Sequence, residues 1–389
     1  MVNFNNTTLP PPIPTTNSNG TEHIPSYLAV WSSNEMAYYK YGIFGLIILI
    51  SLIGNTIVVV TISMTDRLKK VTNFFLFNLA IANLLVTATC MPIHLASWFD
   101  PTVMLGQLTC KAMPFLQGTS VCCSIYTLTM MAIDRYMVIL FPFRGRIKKQ
   151  HCFIILLFIW SIAMLTVSPS LFVYRVGEYS GEKRCDEYGW SKQQALEFTY
   201  TLLVLTYFLP LLVLFFIYGR IFIFLWFRKI PGIGDMPRSV QVKMKKKSLK
   251  KKKLIEMLIT VVVTFMLCNL PQNVMSLLWY HSQQTGWKPP IYIGIVSFHS
   301  EVLFYSNAAI SPIVYGFLHG KMKEASFSIL RWVFCCEKRP GDAYSYARNT
   351  RSSNVSSTYS TKYRYSIASV SKSAVNRSPT NNNICETKN

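Results

Sequence analysis

Apolar residues fall along this chain in long blocks, and seven blocks are long enough to cross a bilayer as helices: residues 40–65, 73–99, 107–140, 151–174, 195–226, 252–281 and 290–317. A helix rises 1.5 Å per residue, so about 20 residues cover a hydrocarbon layer ~30 Å thick. In the third block Arg135 lies roughly 38 Å along the axis from Cys110, and Gln117 about 10 Å inside the Cys110 end. One element therefore touches both membrane faces, which is the layout a signal transducer needs. The pattern predicts an all-α membrane protein with a seven-transmembrane helix bundle over residues 39–317.

The polar segments between the blocks orient the bundle. Arg67, Lys69 and Lys70 follow the first block, Arg144, Arg146, Lys148 and Lys149 follow the third, and a run from Lys243 to Lys253 follows the fifth. The alternate segments hold Asp100, Glu178, Glu182, Asp186 and Glu187 with fewer bases. Basic loops stay cytoplasmic, so a plasma-membrane protein with its N-terminus outside and its C-terminus inside is expected. Residues 1–38 lack the basic start and apolar stretch of a cleavable signal. As an extracellular tail they offer glycosylation sequons at Asn5, Asn6 and Asn19. Such triplets also arise by chance, and Asn354 and Asn376 carry them in the other tail. Residues 318–336 place apolar residues at helical spacing with basic ones between; too short to span, they predict an interfacial amphipathic helix. Cys335 and Cys336 suit palmitoylation, or are two free thiols. Residues 337–389, rich in Ser, Thr, Tyr and Asn, read as a disordered, phosphorylatable cytoplasmic tail.

Composition agrees with the pattern. The chain has 389 residues, 51% hydrophobic and 14% charged, whereas soluble domains carry about 25% charged residues. The net charge of +22 is clustered beside apolar blocks, which reports orientation and contact with membrane lipid, not nucleic acid. Ten cysteines show no metal spacing, and Cys90, Cys122, Cys123 and Cys268 read as small buried thiols. No convergent acid, base and nucleophile is visible, so neither an enzyme nor a cofactor is expected.

Each block also holds residues that a plain anchor does not need: Gly54 and Asn55; Asn78 to Asn83; Trp160 and Pro169; Pro210 and Tyr218; Phe265, Cys268 and Pro271; Asn307, Ser311 and Tyr315. Intramembrane polar side chains are costly and face the bundle interior, and mid-helix prolines create kinks that can hinge. In the plainest reading Asn55, Asn83 and Ser124 only bond neighbouring helices, which does not compete with switching. A transporter or channel predicts an even span count, internal repeats or paired intramembrane charges. Here no repeat is visible, and Glu301 stands as the main unpaired acid near mid-depth.

The ordered series Gly54-Asn55, Asn78-Leu-Ala-Ile-Ala, Cys110, Asp134-Arg135-Tyr136, Trp160, Pro210, Pro271 and Pro312-Ile-Val-Tyr315 resembles the rhodopsin-like (class A) G-protein-coupled receptors over about residues 40–336. Val71-Thr-Asn, Cys90-Met-Pro92, Pro114-Phe-Leu-Gln117 and the stretch from Asp134 to Phe143 are similar to the neuropeptide FF, RFamide and neuropeptide Y peptide-receptor group. The resemblance implies a Cys110–Cys185 disulfide. It also implies coupling to a heterotrimeric G protein, with Asp134, Arg135, Tyr136, Tyr218, Phe265, Pro271, Pro312 and Tyr315 as switch positions. Asn55, Asn83, Ser124, Asn307 and Ser311 would form a polar core, and the Ser/Thr-rich tail would meet arrestin and receptor kinases.

The same resemblance narrows the ligand. Aminergic relatives carry an Asp at the place of Gln117, opsins a retinal-binding Lys in the last helix, and chemokine-type receptors an extra pair of outer cysteines. This chain has Gln117, no Lys in residues 290–317 and no Cys in residues 1–38, which puts a peptide ahead of a lipid or other small ligand. The acidic segment around Glu178 and Glu187, with Glu301, favours a basic peptide. Gln117 both donates and accepts, so it suits a C-terminal amide, unless its bonds are spent inside the bundle. The expected ligand site is Gln117, Asn273, Glu301, Tyr305 and Glu187, for an RFamide- or RYamide-like neuropeptide. Three places depart from the family. Asn83 and Ser311 replace groups of a sodium pocket, so no metal site is expected. Asn269 replaces a Trp one turn above Phe265, and Lys251 replaces a Glu that in some members holds Arg135. These departures keep a weakly signalling decoy receptor as an alternative.

Overall fold

A computed structural model describes residues 34–65, 68, 71–99, 101–141, 147–179, 182–227, 237–287, 290, 292–318 and 320–335, with two short paired strands, β1 (Thr15–Thr16) and β2 (Glu22–His23). Of two compact units, Met1–Cys336 and Glu337–Asn389, the first holds every described residue. The glycosylation candidates Asn5, Asn6 and Asn19, the candidate acylation residue Cys336 and the tail 337–389 lie outside the described residues. So do the side chains of Tyr315, Cys335 and Lys251.

Eight long helices form among the described residues. They are α1 (Asn34–Met64), α2 (Val71–Leu85, a π turn Val86–Cys90, then Met91–Phe99), α3 (Gln107–Leu140) and α4 (Lys149–Val167, extended by Pro169–Val173). After them come α5 (Lys192–Leu203, a π turn Val204–Phe208, then Leu209–Phe227), α6 (Arg238–Thr285), α7 (Ile293–Leu318) and α8 (Gly320–Cys335). Between α4 and α5 an antiparallel hairpin, β3 (Tyr174–Tyr179) and β4 (Glu182–Glu187), pairs Val176 with Cys185.

Local chemistry sets several boundaries. Ser191 caps α5: its hydroxyl accepts from the Gln194 N–H at 3.2 Å, and the Gln194 side chain accepts from the Ser191 N–H at 2.9 Å, a reciprocal capping box. Gly286, at φ +71°, ends α6 and donates its N–H to the Ser282 carbonyl, a left-handed conformation that glycine adopts without a Cβ penalty. Both π turns run up to a proline, Pro92 or Pro210. A proline removes one ladder N–H and crowds the carbonyl four residues back, and a wider turn accommodates both.

Six stretches qualify as membrane spans on length and apolar composition: Ala37–Met64, Val71–Ser97, Gln107–Leu140, Lys149–Val173, Lys192–Leu225 and Lys252–Thr285. The seventh expected block forms α7, whose 26 residues are long enough to span, yet its polar content keeps it off that count. The reason is where α7 sits. It packs between α1 and α6 and buries Ser300, Glu301, Asn307 and Ser311 in the bundle. Conversely, α4 and α5 expose Phe153, Phe158, Leu165, Leu212, Phe215 and Phe216, a surface that hydrocarbon accepts and water does not. α6 begins well before its apolar block, because a lysine-rich stretch continues the same helix.

Close approach and buried amides hold the helices together. A Cβ on Gly54 would lie 2.6 Å from Pro312 Cγ, so only glycine lets α1 meet α7 here. Next to it, Asn55 Nδ2 donates to the Ala308 carbonyl at 2.9 Å, and Asn83 Nδ2 donates to Asn55 Oδ1 at 3.1 Å, joining α1, α2 and α7. On the other side Trp160 Nε1 donates to Asn78 Oδ1 at 2.8 Å, and Asn78 Nδ2 to Thr127 Oγ1 at 2.9 Å, joining α4, α2 and α3.

Candidate functional site

The hairpin closes one end of the bundle. Cys110, at the start of α3, is disulfide-bonded to Cys185 of β4, with Cα atoms 5.6 Å apart. A further tie runs from the Val176 N–H to Gln107 Oε1 at 3.1 Å. This fixes Glu187, two residues beyond Cys185, beside α6. The Tyr174 and Tyr280 hydroxyls both donate to Glu187 Oε1 at 2.5 Å, and Trp190 Nε1 donates to Oε2 at 3.0 Å. A carboxylate offers about four acceptor positions; three are taken, and one on Oε2 of this half-buried group stays open among the described residues. Burial, with Tyr280 and Glu187 adding to it, holds the Tyr174 hydroxyl well above its usual pKa.

Deeper, Tyr305 of α7 donates its hydroxyl to Gln117 Oε1 of α3 at 3.3 Å. Tyr305 is buried and Gln117 half-buried. Glu301, one turn from Tyr305 on α7, does not stand alone as the sequence suggested. His94 Nε2 of α2 lies 2.8 Å from Glu301 Oε2, with the two side chains 1% and 3% exposed. A carboxylate only accepts, so the imidazole N–H is the donor. Phe44 and Tyr305 wall the pair, each with its ring centroid 5.7 Å from that of His94. Asn273 is half-buried on α6 and hydrogen-bonds to none of these residues.

Midway down lies a small, partly open cavity of about 30 Å³, lined by Asn83, Ser120, Ser124, Asn269 and Asn307 and by Phe265 and Tyr305. Ser120 Oγ and Asn307 Oδ1 are buried there without hydrogen-bond partners among the described residues. Ser124 bonds the Ser120 carbonyl and Ser311 the Asn307 carbonyl, each within its own helix. The polar lining is entirely amide and hydroxyl, with no carboxylate to balance the charge of a hard cation. Asn269 turns its amide to the Phe265 carbonyl at 2.7 Å.

At the opposite end Asp134 Oδ2 holds Arg135: Nε donates at 3.1 Å, and Nη2 donates both to it and to Thr72 Oγ1. Thr72 Oγ1 in turn donates to Asp134 Oδ2 at 3.3 Å. Tyr136 stacks edge-on against Phe141. The Tyr218 hydroxyl is buried with no hydrogen-bond partner among the described residues. Ile139, Ile221, Ile255 and Leu258 of α3, α5 and α6 belong to one buried core. Pro271 and Pro312 lie inside unbroken helices.

The sequence reading missed His94, Thr72, Tyr174, Trp190 and Tyr280. Only His94 carried a usable signal: an ionisable residue inside an apolar block is a functional candidate by default.

Comparison with known proteins fits this geometry. Residues 54–315 match the family described as "7 transmembrane receptor (rhodopsin family)". The chain is 30% identical over 328 residues to the RYamide receptor of Drosophila melanogaster, covering 80% of this chain and 68% of that protein. It is 29% identical over 311 residues to the RYamide receptor of Tribolium castaneum, covering 77% and 82%. Against the neuropeptide FF receptor 2 of Rattus norvegicus it is 30% identical over 313 residues, covering 77% and 74%.

Proposed function

This chain belongs to the rhodopsin family of seven-transmembrane receptors, and we propose that it is a neuropeptide receptor whose ligand carries an amidated C-terminus of the RFamide or RYamide kind. It is a multi-pass membrane protein that signals to heterotrimeric G proteins, and it is not an enzyme. The relatives named for RYamide and neuropeptide FF support the ligand class. The observation that carries the reading is the pairing of Gln117 with Tyr305 beneath the hairpin. An amide side chain there has both a donor and an acceptor to offer a terminal carboxamide. Above it, the open acceptor position of Glu187 suits a basic side chain of the peptide. Asn273 completes the reading of the wall on α6.

The N-terminus and hairpin face outward in this reading, and residues 1–38 form a glycosylated tail. The Arg135 end, α8 with Cys335 and Cys336, and the tail 337–389 face the cytoplasm, where receptor kinases and arrestin would act. Switching is a population shift. In the closed state Asp134 and Thr72 hold Arg135. Ligand binding favours a state in which α6 swings at Pro271 and Arg135 and Tyr218 turn toward the G protein.

Calcium and cyclic AMP responses of cells expressing the chain, challenged with amidated peptides of RF and RY type, test this. A response lost at least tenfold in potency in Gln117→Ala, at unchanged surface expression, supports it. Silence across the panel from a surface-expressed receptor overturns it in favour of a lipid ligand or a decoy.

A further inference from the structure

α6 is longer than a membrane needs. It runs unbroken from Arg238 to Thr285, 48 residues, whereas its apolar stretch is Lys252–Thr285. Tyr280, near its far end, meets the hairpin, so residues 238–251 carry the helix out of the opposite end of the bundle by roughly 21 Å. Residues 238–253 include nine Lys and Arg and no Asp or Glu. Lysines four apart, as at 243 and 247 or 246 and 250, repel one another along a helix. An acidic surface laid against the segment relieves that repulsion. The same segment also shows apolar side chains to water: Val240, Val242 and Leu249 are 37%, 46% and 51% exposed, and Met244 is half-buried. At 3.6 residues per turn, Val240 and Met244 share one face, while Val242 and Leu249 share another nearly opposite to it.

We propose that residues 238–253 are a docking helix for an acidic, calcium-loaded sensor protein that grips the helix from both sides with two apolar grooves. Calcium opens such grooves, which are lined by pliable methionines, and a basic helix with apolar anchors is the target they take. Their acidic rims answer the nine positive charges, and each groove covers one apolar pair. Two rival occupants fit less well. An anionic lipid surface answers the charge, but the helix leaves the membrane along the axis of α6 instead of lying on it, so the apolar pairs stay in water. A partner with a single groove covers only one pair. The inference goes beyond the ligand reading and rests only on this end of the bundle facing the cytoplasm.

Calmodulin has the stated chemistry and is the probe, titrated against the purified full chain in phosphatidylcholine nanodiscs. Saturable binding in calcium, lost on chelation, is expected. Val242→Ser/Leu249→Ser keeps all nine charges and changes only exposed positions outside the apolar stretch. It is expected to weaken binding at least about tenfold, because two aliphatic anchors are lost. No binding, or binding that ignores calcium, overturns the inference. So does equal affinity of the variant, which means attraction by charge alone or a site elsewhere, such as α8. The titration is repeated in nanodiscs containing phosphatidylserine. Binding retained there supports the sensor as occupant, whereas binding abolished there makes the lipid surface the occupant and overturns the inference. None of these readouts uses the peptide ligand, so their failure leaves the receptor reading standing, and silence of the receptor toward peptides leaves this inference standing.

Discussion

Replacing Asn55 with alanine removes the amide that joins three helices, and its cost follows from the contacts. Asn55 Nδ2 donates to the Ala308 carbonyl and Oδ1 accepts from Asn83 Nδ2; a further bond to the Ser51 carbonyl stays within α1. Hydrogen bonds between membrane helices average ~0.6 kcal/mol, so the two interhelical bonds contribute ~1.2 kcal/mol. The truncation also strands Asn83 Nδ2 in a residue that is 3% exposed, and an orphaned buried donor costs ~1–3 kcal/mol. The total is ~2–4 kcal/mol, which for a bundle of this size lowers the melting midpoint by roughly 5–10 °C. Unfolding of the purified protein in detergent, followed with a thiol-reactive dye, reads this directly. Cys90, Cys122, Cys123, Cys152 and Cys268 are all buried and become reactive only on opening. The lipid-facing neighbour Thr56 is the control, and Thr56→Ala is expected to melt with wild type. In Asn55→Ala/Asn83→Ala the stranded donor is gone, so the double variant should lose less than the sum of the singles. A midpoint for Asn55→Ala within about 1 °C of wild type would refute this accounting of the α1–α2–α7 junction.

Two further expectations use the same logic. Gly54→Ala puts a methyl 2.6 Å from a rigid proline ring, so α1 must retreat from α7 at a cost of ~1–3 kcal/mol. Gly45→Ala, which meets nothing within 4 Å, should instead be neutral or slightly stabilising in a melt. Glu187→Gln keeps one oxygen that can still accept from Tyr174 and Tyr280 but gives up the acceptor for Trp190 Nε1 and the charge. Potency of a peptide with a basic residue should fall about tenfold, and replacing that residue by an uncharged one should cost little more in the variant than it already does. Equal losses in wild type and variant would show that the basic residue binds elsewhere.

The helix count was legible in the chain because a bilayer imposes length and apolarity on each span separately. Glycine and asparagine at 54 and 55, and the amide-rich start of α2, announced buried contacts by the same rule, since an intramembrane polar group must find a partner. α7 was legible as a block of spanning length, but its polar residues only make sense once α1 and α6 cover them. The inner extension of α6 was hidden, because lysines carry no apolar period even where the helix continues.

Partnership was beyond reach of the sequence. Glu301 reads as a lone acid until α2 and α7 pack, when His94, 207 residues away in the chain, closes on it. Tyr280 meets Glu187 across 93 residues, on the hairpin that the Cys110–Cys185 bond ties to α3. Such contacts depend on how each helix is rotated and how deep it sits, and rotation is set by packing against neighbours rather than by local composition. The sequence alone thus determined a multi-pass bundle and the residue types available to it. The tertiary structure decided which polar groups satisfy one another and which, like Glu301 Oε1, stay without a hydrogen-bond partner among the described residues.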